Sequence, residues 1–202
     1  MIKKKKVVVW SDNCGGQMKN RMILALYCLL IAHGHYTVID HKFLVSGHSF
    51  LPCDRDFGII EKRKMKSFVP EDLHEVIRSA NTVNPFKVID MDGGPFFDFG
   101  KLASNCLNTT KLKISTSAWL RITEESLKDG SVLMKTNFAS SLNWTTVKVF
   151  KSSVTIEHFK DQTLTALGRV NHVTAEKKKD LLSMVPYLKE EKHKEFHQKL
   201  LV

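Results

Sequence analysis

The stretch VVVWSDNCGGQMKNR, Val7 to Arg21, constrains the fold more than any other part of the chain. Val7–Trp10 is apolar on both parities, which suits a strand covered on both faces. The run stops at an acid, Asp12, and Gly15-Gly16 then permits a tight turn. From Gln17 to about Ala32 the pattern predicts a helix, apolar nearly all round in its second half and therefore buried. His33-Gly34-His35 closes it, with Gly34 in the position that follows a helix C-cap. Tyr36 to Val45 reads as the next strand and Gly47-His48-Ser49 as its end. Phe50 to about Lys66 reads as a second helix, with Pro52 tolerated in its first turn. Strand–helix–strand–helix predicts an α/β fold with two parallel neighbouring strands and a right-handed crossover.

Beyond Ser67 the character shifts. VPEDLHEVIRSAN reads as a helix opened by Pro70, with Glu71 and Asp72 at the positive end of its dipole. From Asn84 to Lys151, short β-prone pieces (FKVIDMD, TKLKIS, AWLRIT, SVLMKTNF, WTTVKVF) alternate with turn residues, predicting a small, mostly antiparallel unit. Thr174 to Leu201 gives two helices broken at Pro186. These shifts divide the chain into residues 1–80, 81–155 and 156–202.

With 202 residues, 43% of them hydrophobic, there is material for one good core, or one core and a small second unit. A net charge of +10 makes a polyanion such as DNA a plausible partner, although an ordinary basic surface has the same composition. The longest apolar run, Met22 to Ala32, is well short of the ~20 residues that span a bilayer, so no membrane segment is expected. Cys14, Cys28, Cys53 and Cys106 form no CxxC pair and fit reduced thiols in the nucleus or cytoplasm. A homo-oligomer is left open.

In open α/β sheets ligands gather at the carboxyl ends of the strands. Asp12 stands at such an end, and the second strand delivers His48 to the same edge. In PCDRDFGIIEKRK, Asp54, Gly58 and Glu61 share one helical stripe, while Phe57 and Ile60 form an apolar stripe to anchor that helix to the sheet. Carboxylates that converge repel unless a cation lies between them, and hard oxygen ligands suit Mg²⁺ or Mn²⁺. Two such ions about 3.5–4 Å apart can drive phosphodiester chemistry. Lys62, Arg63, Lys64 and Lys66 follow Glu61, where a phosphate backbone can lie. Each residue also has a plainer role. Asp12 suits a turn or helix cap, Asp54 a first-turn helix acid and His48 a turn donor. Glu61 suits a surface acid, and the Lys/Arg run a solvated helix face.

The strings SDNCGGQMKNR, HKFLVSGHSFLPCDRDFGIIEKRK and FVPEDLHEVIRSANTVNPF resemble an uncharacterised domain of animal open reading frames of mobile-element type, over nearly the whole chain. That domain in turn is similar to the ribonuclease-H-like core of DDE transposases and integrases. The resemblance implies that Asp12 is the second catalytic acid, closing the core's fourth strand, and Glu61 the third, both holding Mg²⁺ or Mn²⁺. It implies motif roles for Asn13, Gln17, Lys19, Asn20, His48, Asp54 and Asp56, with Lys19 among the nucleic-acid contacts. Met18 departs from the family, which usually has Asn there. The core's first three strands and first acid are expected before residue 1, so the chain reads as a partial ribonuclease-H-like core with little activity alone. Asp90 and Asp92 are candidate substitutes for that acid, or simply turn residues. The resemblance implies a transposase-derived fragment. The alternatives are a non-catalytic nucleic-acid-binding module and a decayed repeat.

Overall fold

Three consecutive valines and a tryptophan favour extended backbone, because branched and aromatic side chains fit a pleated surface. The computed structural model, which describes residues 5–45, 47, 50–63, 66–91, 96–139, 141–168 and 173–199, makes them part of strand β1, Lys6–Ser11. Helix α1, Arg21–Ala32, then leads to β2, Val38–Phe43, which lies parallel to β1 in the register Lys6↔Val38 to Ser11↔Phe43. The helix starts later than Gln17. Asn20 is its N-cap and accepts from the Met22 and Ile23 amides, while residues 17–19 turn around the Cys14 carbonyl. Its end is as expected. Gly34 sits at φ +72°, its amide bonds to the Ile31 carbonyl, and the His35 amide bonds to Leu30, which together satisfy two terminal carbonyls.

The chain divides into two compact units, each built from separate segments. The first comprises Met1–Leu51 and Pro95–Leu167. After α2 (Pro52–Glu61) and α3 (Pro70–Ala80), which belong to the second unit, it adds α4 (Phe99–Cys106), β3 (Trp119–Thr123), α5 (Glu124–Lys128), β4 (Ser131–Lys135), β5 (Thr145–Lys148) and α6 (Ile156–Lys160). The five strands form one sheet in the order β1-β2-β3-β4-β5, antiparallel from β2 onward. The class is α/β, as expected, and β3–β5 continue the sheet that β1 and β2 begin. Helices α1 and α5 pack on one face of that sheet, and α4 and α6 pack against α1. Leu24, Cys28, Ile39, Leu120, Ile122, Leu127, Val132 and Phe159 are buried in the resulting core. Cys28 behaves as a small apolar residue there, its thiol pushed up by burial.

Two β-prone pieces are not strands. FKVIDMD is without regular structure over its described residues, and Ile89 and Met91 are exposed, so they meet no half-buried surface. TKLKIS ends in a 3₁₀ turn, Ile114–Thr116. Between them α4 forms because Asp98 caps it, accepting from the Lys101 amide at 2.8 Å, and Leu102, Ala103 and Cys106 share a buried face.

Gly130 joins α5 to β4 at φ +67°, and a β-carbon there would lie 2.8 Å from the Phe150 β-carbon. Gly130→Ala is therefore expected to cost about 2–4 kcal/mol, combining left-handed backbone strain with overpacking. Urea unfolding reads the loss directly. A change below about 0.5 kcal/mol, the usual range of surface substitutions, would contradict that account.

The second unit comprises Pro52–Gly94 and Gly168–Val202. It contains α2 (Pro52–Glu61), α3 (Pro70–Ala80), α7 (Ala175–Met184), a 3₁₀ turn at Val185–Tyr187 and α8 (Glu191–Lys199). The tail thus breaks at Pro186, as its sequence predicts. Asp72 joins α3 to α8. It accepts from the Phe68 amide at 3.0 Å and meets His193 Nε2 at 3.0 Å. The Phe68 amide first, and His193 after it, hold the Asp72 carboxyl below its usual range. Among the described residues no helix is long and apolar enough to cross a membrane.

Candidate nucleic-acid interface

Strand side chains alternate between faces, so each strand of the first unit splits into two sets. Val7, Val9, Ile39, His41, Phe43, Leu120, Ile122, Val132, Met134 and Val147 lie on the face packed by helices. The other parity carries a different chemistry. Its register runs Trp10↔Lys42↔Trp119↔Lys135 across four strands, and Trp144 stands just before β5 beside Lys135. Aromatic and cation alternate along that row, and it contains all three tryptophans of the chain.

The contacts bear out the register. Lys42 Nζ lies 4.9 Å from the Trp10 ring and 4.2 Å from the Trp119 ring. Lys135 Nζ lies 5.7 Å from Trp119 and 4.9 Å from Trp144. Trp119 and Trp144 meet edge to face at 4.9 Å, and Phe138 lies 5.9 Å from Trp10. Such cation–ring attractions fix flexible side chains in place. Lys135 is buried by this packing, whereas Trp10 remains 47% exposed and Val8 51%.

A second row, Val8↔Asp40↔Arg121↔Leu133, lies next to the first. Asp40 is buried and accepts from Trp119 Nε1 at 2.8 Å, Arg121 Nε at 2.7 Å and Arg121 Nη2 at 2.9 Å. The two-pronged contact fixes Arg121 beside Trp119 and Trp144, and raises the guanidinium's already high pKa. Among the strand residues of this face Asp40 is the one acid, against Lys6, Lys42, Arg121, Lys135 and Lys148. Flat rings interleaved with cations can hold bases by stacking and phosphates by charge.

The residues singled out from sequence lie elsewhere. Asp12 directly follows β1, and its Oδ1 accepts from the Cys14 amide at 3.3 Å, closing a turn. Asn13 and Gln17 are exposed, and Asn20 serves as the α1 cap. Met18 packs partly buried against the core. Lys19 is 5% exposed, with Nζ donating to the Ser115 and Ser117 carbonyls at 3.1 and 2.7 Å, so its charge holds a loop. Burial lowers its pKa.

Asp54 and Glu61, at the two ends of α2, are exposed and belong to the second unit, whereas Asp12 belongs to the first. The apolar stripe expected to anchor α2 is not buried. Phe57 is 62% exposed and no residue of that helix is fully buried. Lys62, Arg63 and Lys66 are exposed, and Arg63 Nη2 donates to the Ala80 carbonyl at 2.8 Å. Asp56 is half-buried and Asp90 exposed, while His48, Lys64 and Asp92 fall outside the described residues. Among the described residues no cluster of three or more His, Cys, Asp or Glu is arranged to hold a metal ion.

Sequence reasoning missed the tryptophan row because it needs the pairing register. One signal was available: in WLRIT, Trp119 and Arg121 share the parity opposite to Leu120 and Ile122. In comparisons with known proteins, residues 4–141 match a family described as a domain of unknown function (DUF7869). No curated protein and no solved structure matches the chain.

Proposed function

The chain belongs to the DUF7869 family, a domain of unknown function, and on that footing we propose that it binds nucleic acid through the open face of its sheet. The observation that carries this reading is the row Trp10–Lys42–Trp119–Lys135–Trp144, with Lys6 and Lys148 at the other end of the strands on the same face. The net charge of +10 adds the long-range attraction that such a face needs. Binding dominated by phosphate contacts weakens linearly with log salt. The full chain is therefore expected to hold a labelled mixed-sequence DNA at about 50 mM salt and to lose most of that affinity by about 200 mM. A Lys42→Ala, Lys148→Ala double variant is expected to bind several-fold more weakly, and Asp12→Ala to bind as the parent does. Salt-independent binding, or loss with Asp12→Ala alone, would refute the assignment to this face.

One observation favours a finer, transposase-like reading. β1 and β2 are parallel and end together at Ser11↔Phe43, which sets Asp12 just beyond their carboxyl ends. On this reading the chain descends from a Mg²⁺- or Mn²⁺-dependent DNA-cutting or DNA-joining enzyme and keeps the binding without the chemistry. Supercoiled plasmid incubated with the chain and Mn²⁺ is expected to stay intact. Nicking that Asp12→Ala abolishes would make the chain an enzyme instead.

A further inference from the structure

The aromatic members of the row differ in what they have left to offer. Trp119 is saturated: Lys42, Arg121 and Lys135 crowd its ring at 4.2–5.7 Å, and its Nε1–H is given to Asp40. Trp144 is similarly engaged by Arg121 at 4.7 Å and Lys135 at 4.9 Å. Trp10 and Phe138 are different. They are 47% and 39% exposed, their centroids lie 5.9 Å apart and their planes are tilted by 36°. Trp10 has one cation beside it, Lys42, and β1 is the outermost strand of the sheet. The accessible rings therefore stand at one end of the row, with fixed cations leading away from them. Lys42 and Lys135 are two strands apart, which at the usual strand spacing separates their backbones by about 9.5 Å.

Ring faces and charges of this kind are selective for one form of nucleic acid. In a duplex each base already has neighbours stacked on both sides, and an inserted side chain must first open a step. Unpaired bases present their faces freely, and side-chain rings stack on them with little regard to sequence. Resting on the nucleic-acid reading above, we infer that the ligand is an unpaired strand, with bases stacked on Trp10 and Phe138 and backbone laid across β2 toward β5. Trp119, Arg121 and Asp40 act as positioning residues that hold the cations in the row. Half-buried Lys42 and the exposed lysines Lys6 and Lys148 meet phosphates, so the slope of log affinity against log salt is about −2 for a single strand.

The test compares short oligo-dT and oligo-U strands with a mixed-sequence duplex of the same length, using fluorescence anisotropy and quenching of tryptophan emission. The full chain is expected to bind at least one of the single strands tenfold or more tighter than the duplex, and the two strands together show whether the sugar matters. Trp10→Ala is expected to weaken single-strand binding by about 5- to 100-fold while changing duplex binding less than twofold. Trp10→Phe, which keeps a ring, is expected to recover most of the loss, and unchanged circular dichroism melts exclude misfolding as the cause. Duplex bound as tightly as single strand, or equal loss of both with Trp10→Ala, overturns the unpaired-strand inference and leaves the broader reading standing. Absence of salt-dependent binding to any of the three ligands overturns both.

Discussion

Asp40→Ala is expected to remove roughly 3 kcal/mol of folding stability, the lower end of what breaking a buried ion pair costs. The carboxylate is 10% exposed and takes three hydrogen bonds, two from Arg121 and one from Trp119. Without it the Arg121 charge loses its counter-ion and the Trp119 N–H loses its acceptor. The Arg121 side chain is 32% exposed, so water partly solvates the abandoned guanidinium, which is why the lower end applies. The second variant of the cycle, Arg121→Leu, leaves Asp40 as the buried unpaired charge. The double variant leaves neither and is expected to be more stable than the sum of the single losses implies, by about 1–3 kcal/mol. Strict additivity in urea unfolding would show that the pair contributes nothing as a pair.

The next largest effect is set by pH. His41 is fully buried on the helix-covered face, with Nε2 3.0 Å from Ser11 Oγ and Nδ1 3.1 Å from Tyr27 Oη. The Ser11 hydroxyl donates to the Asp12 carbonyl, so Nε2–H is assigned as the donor to Ser11, and Nδ1 accepts from Tyr27. A second ring proton would face that Tyr27 hydroxyl, inside the core and near the Lys19 charge. Burial first, and Lys19 second, push the His41 pKa down to about 4.

In the unfolded chain the same ring titrates near 6.5, so the folded pKa is the lower of the two. Above about pH 6.5 His41 is neutral in both states and contributes no pH dependence. Between about 6.5 and 4 the unfolded chain takes up a proton that the folded chain refuses, and stability falls as pH falls. The total loss is about 3 kcal/mol, complete near pH 4. Urea midpoints from neutral to acid pH measure the slope. His41→Gln is expected to flatten it by about 1.4 kcal/mol per pH unit inside that window, whatever the variant's own stability. An identical slope in both chains would place the proton elsewhere.

What the sequence made legible was local. Val7–Trp10, the apolar run up to Ala32 with Gly34 after it, and Tyr36–Val45 carry their own strand, helix and stop signals, and β1, α1 and β2 form within them, the strands in parallel register, while the Asn20 cap that starts α1 went unread. Pro70, Glu71 and Asp72 likewise announce α3, and Pro186 marks the break between the tail helices. What was not legible depended on partners distant in sequence. Strands β3–β5 read as a separate β unit because nothing near them says that Val38 pairs with Thr123. Lys19 lies in a polar motif and looks exposed, yet the Ser115 and Ser117 carbonyls bury it from nearly a hundred residues away. The apolar stripe of α2 promised an anchor, but periodicity says which residues share a side and not whether anything covers them. The aromatic–cation row is the sharpest case, since each of its residues is ordinary until the strands are laid side by side.

The pairing of β2 with β3 also sets a timetable. Synthesis runs from the amino end, so β1, α1 and β2 leave the ribosome together and can associate at once. The partner that covers the free edge of β2 is encoded about 80 residues later. At roughly 5–20 residues per second, that edge waits about 4–16 s for its neighbour. For that interval the nascent protein carries an unclosed ladder beside Ile39 and Phe43, and an unpaired edge of that kind is a template for pairing with another chain.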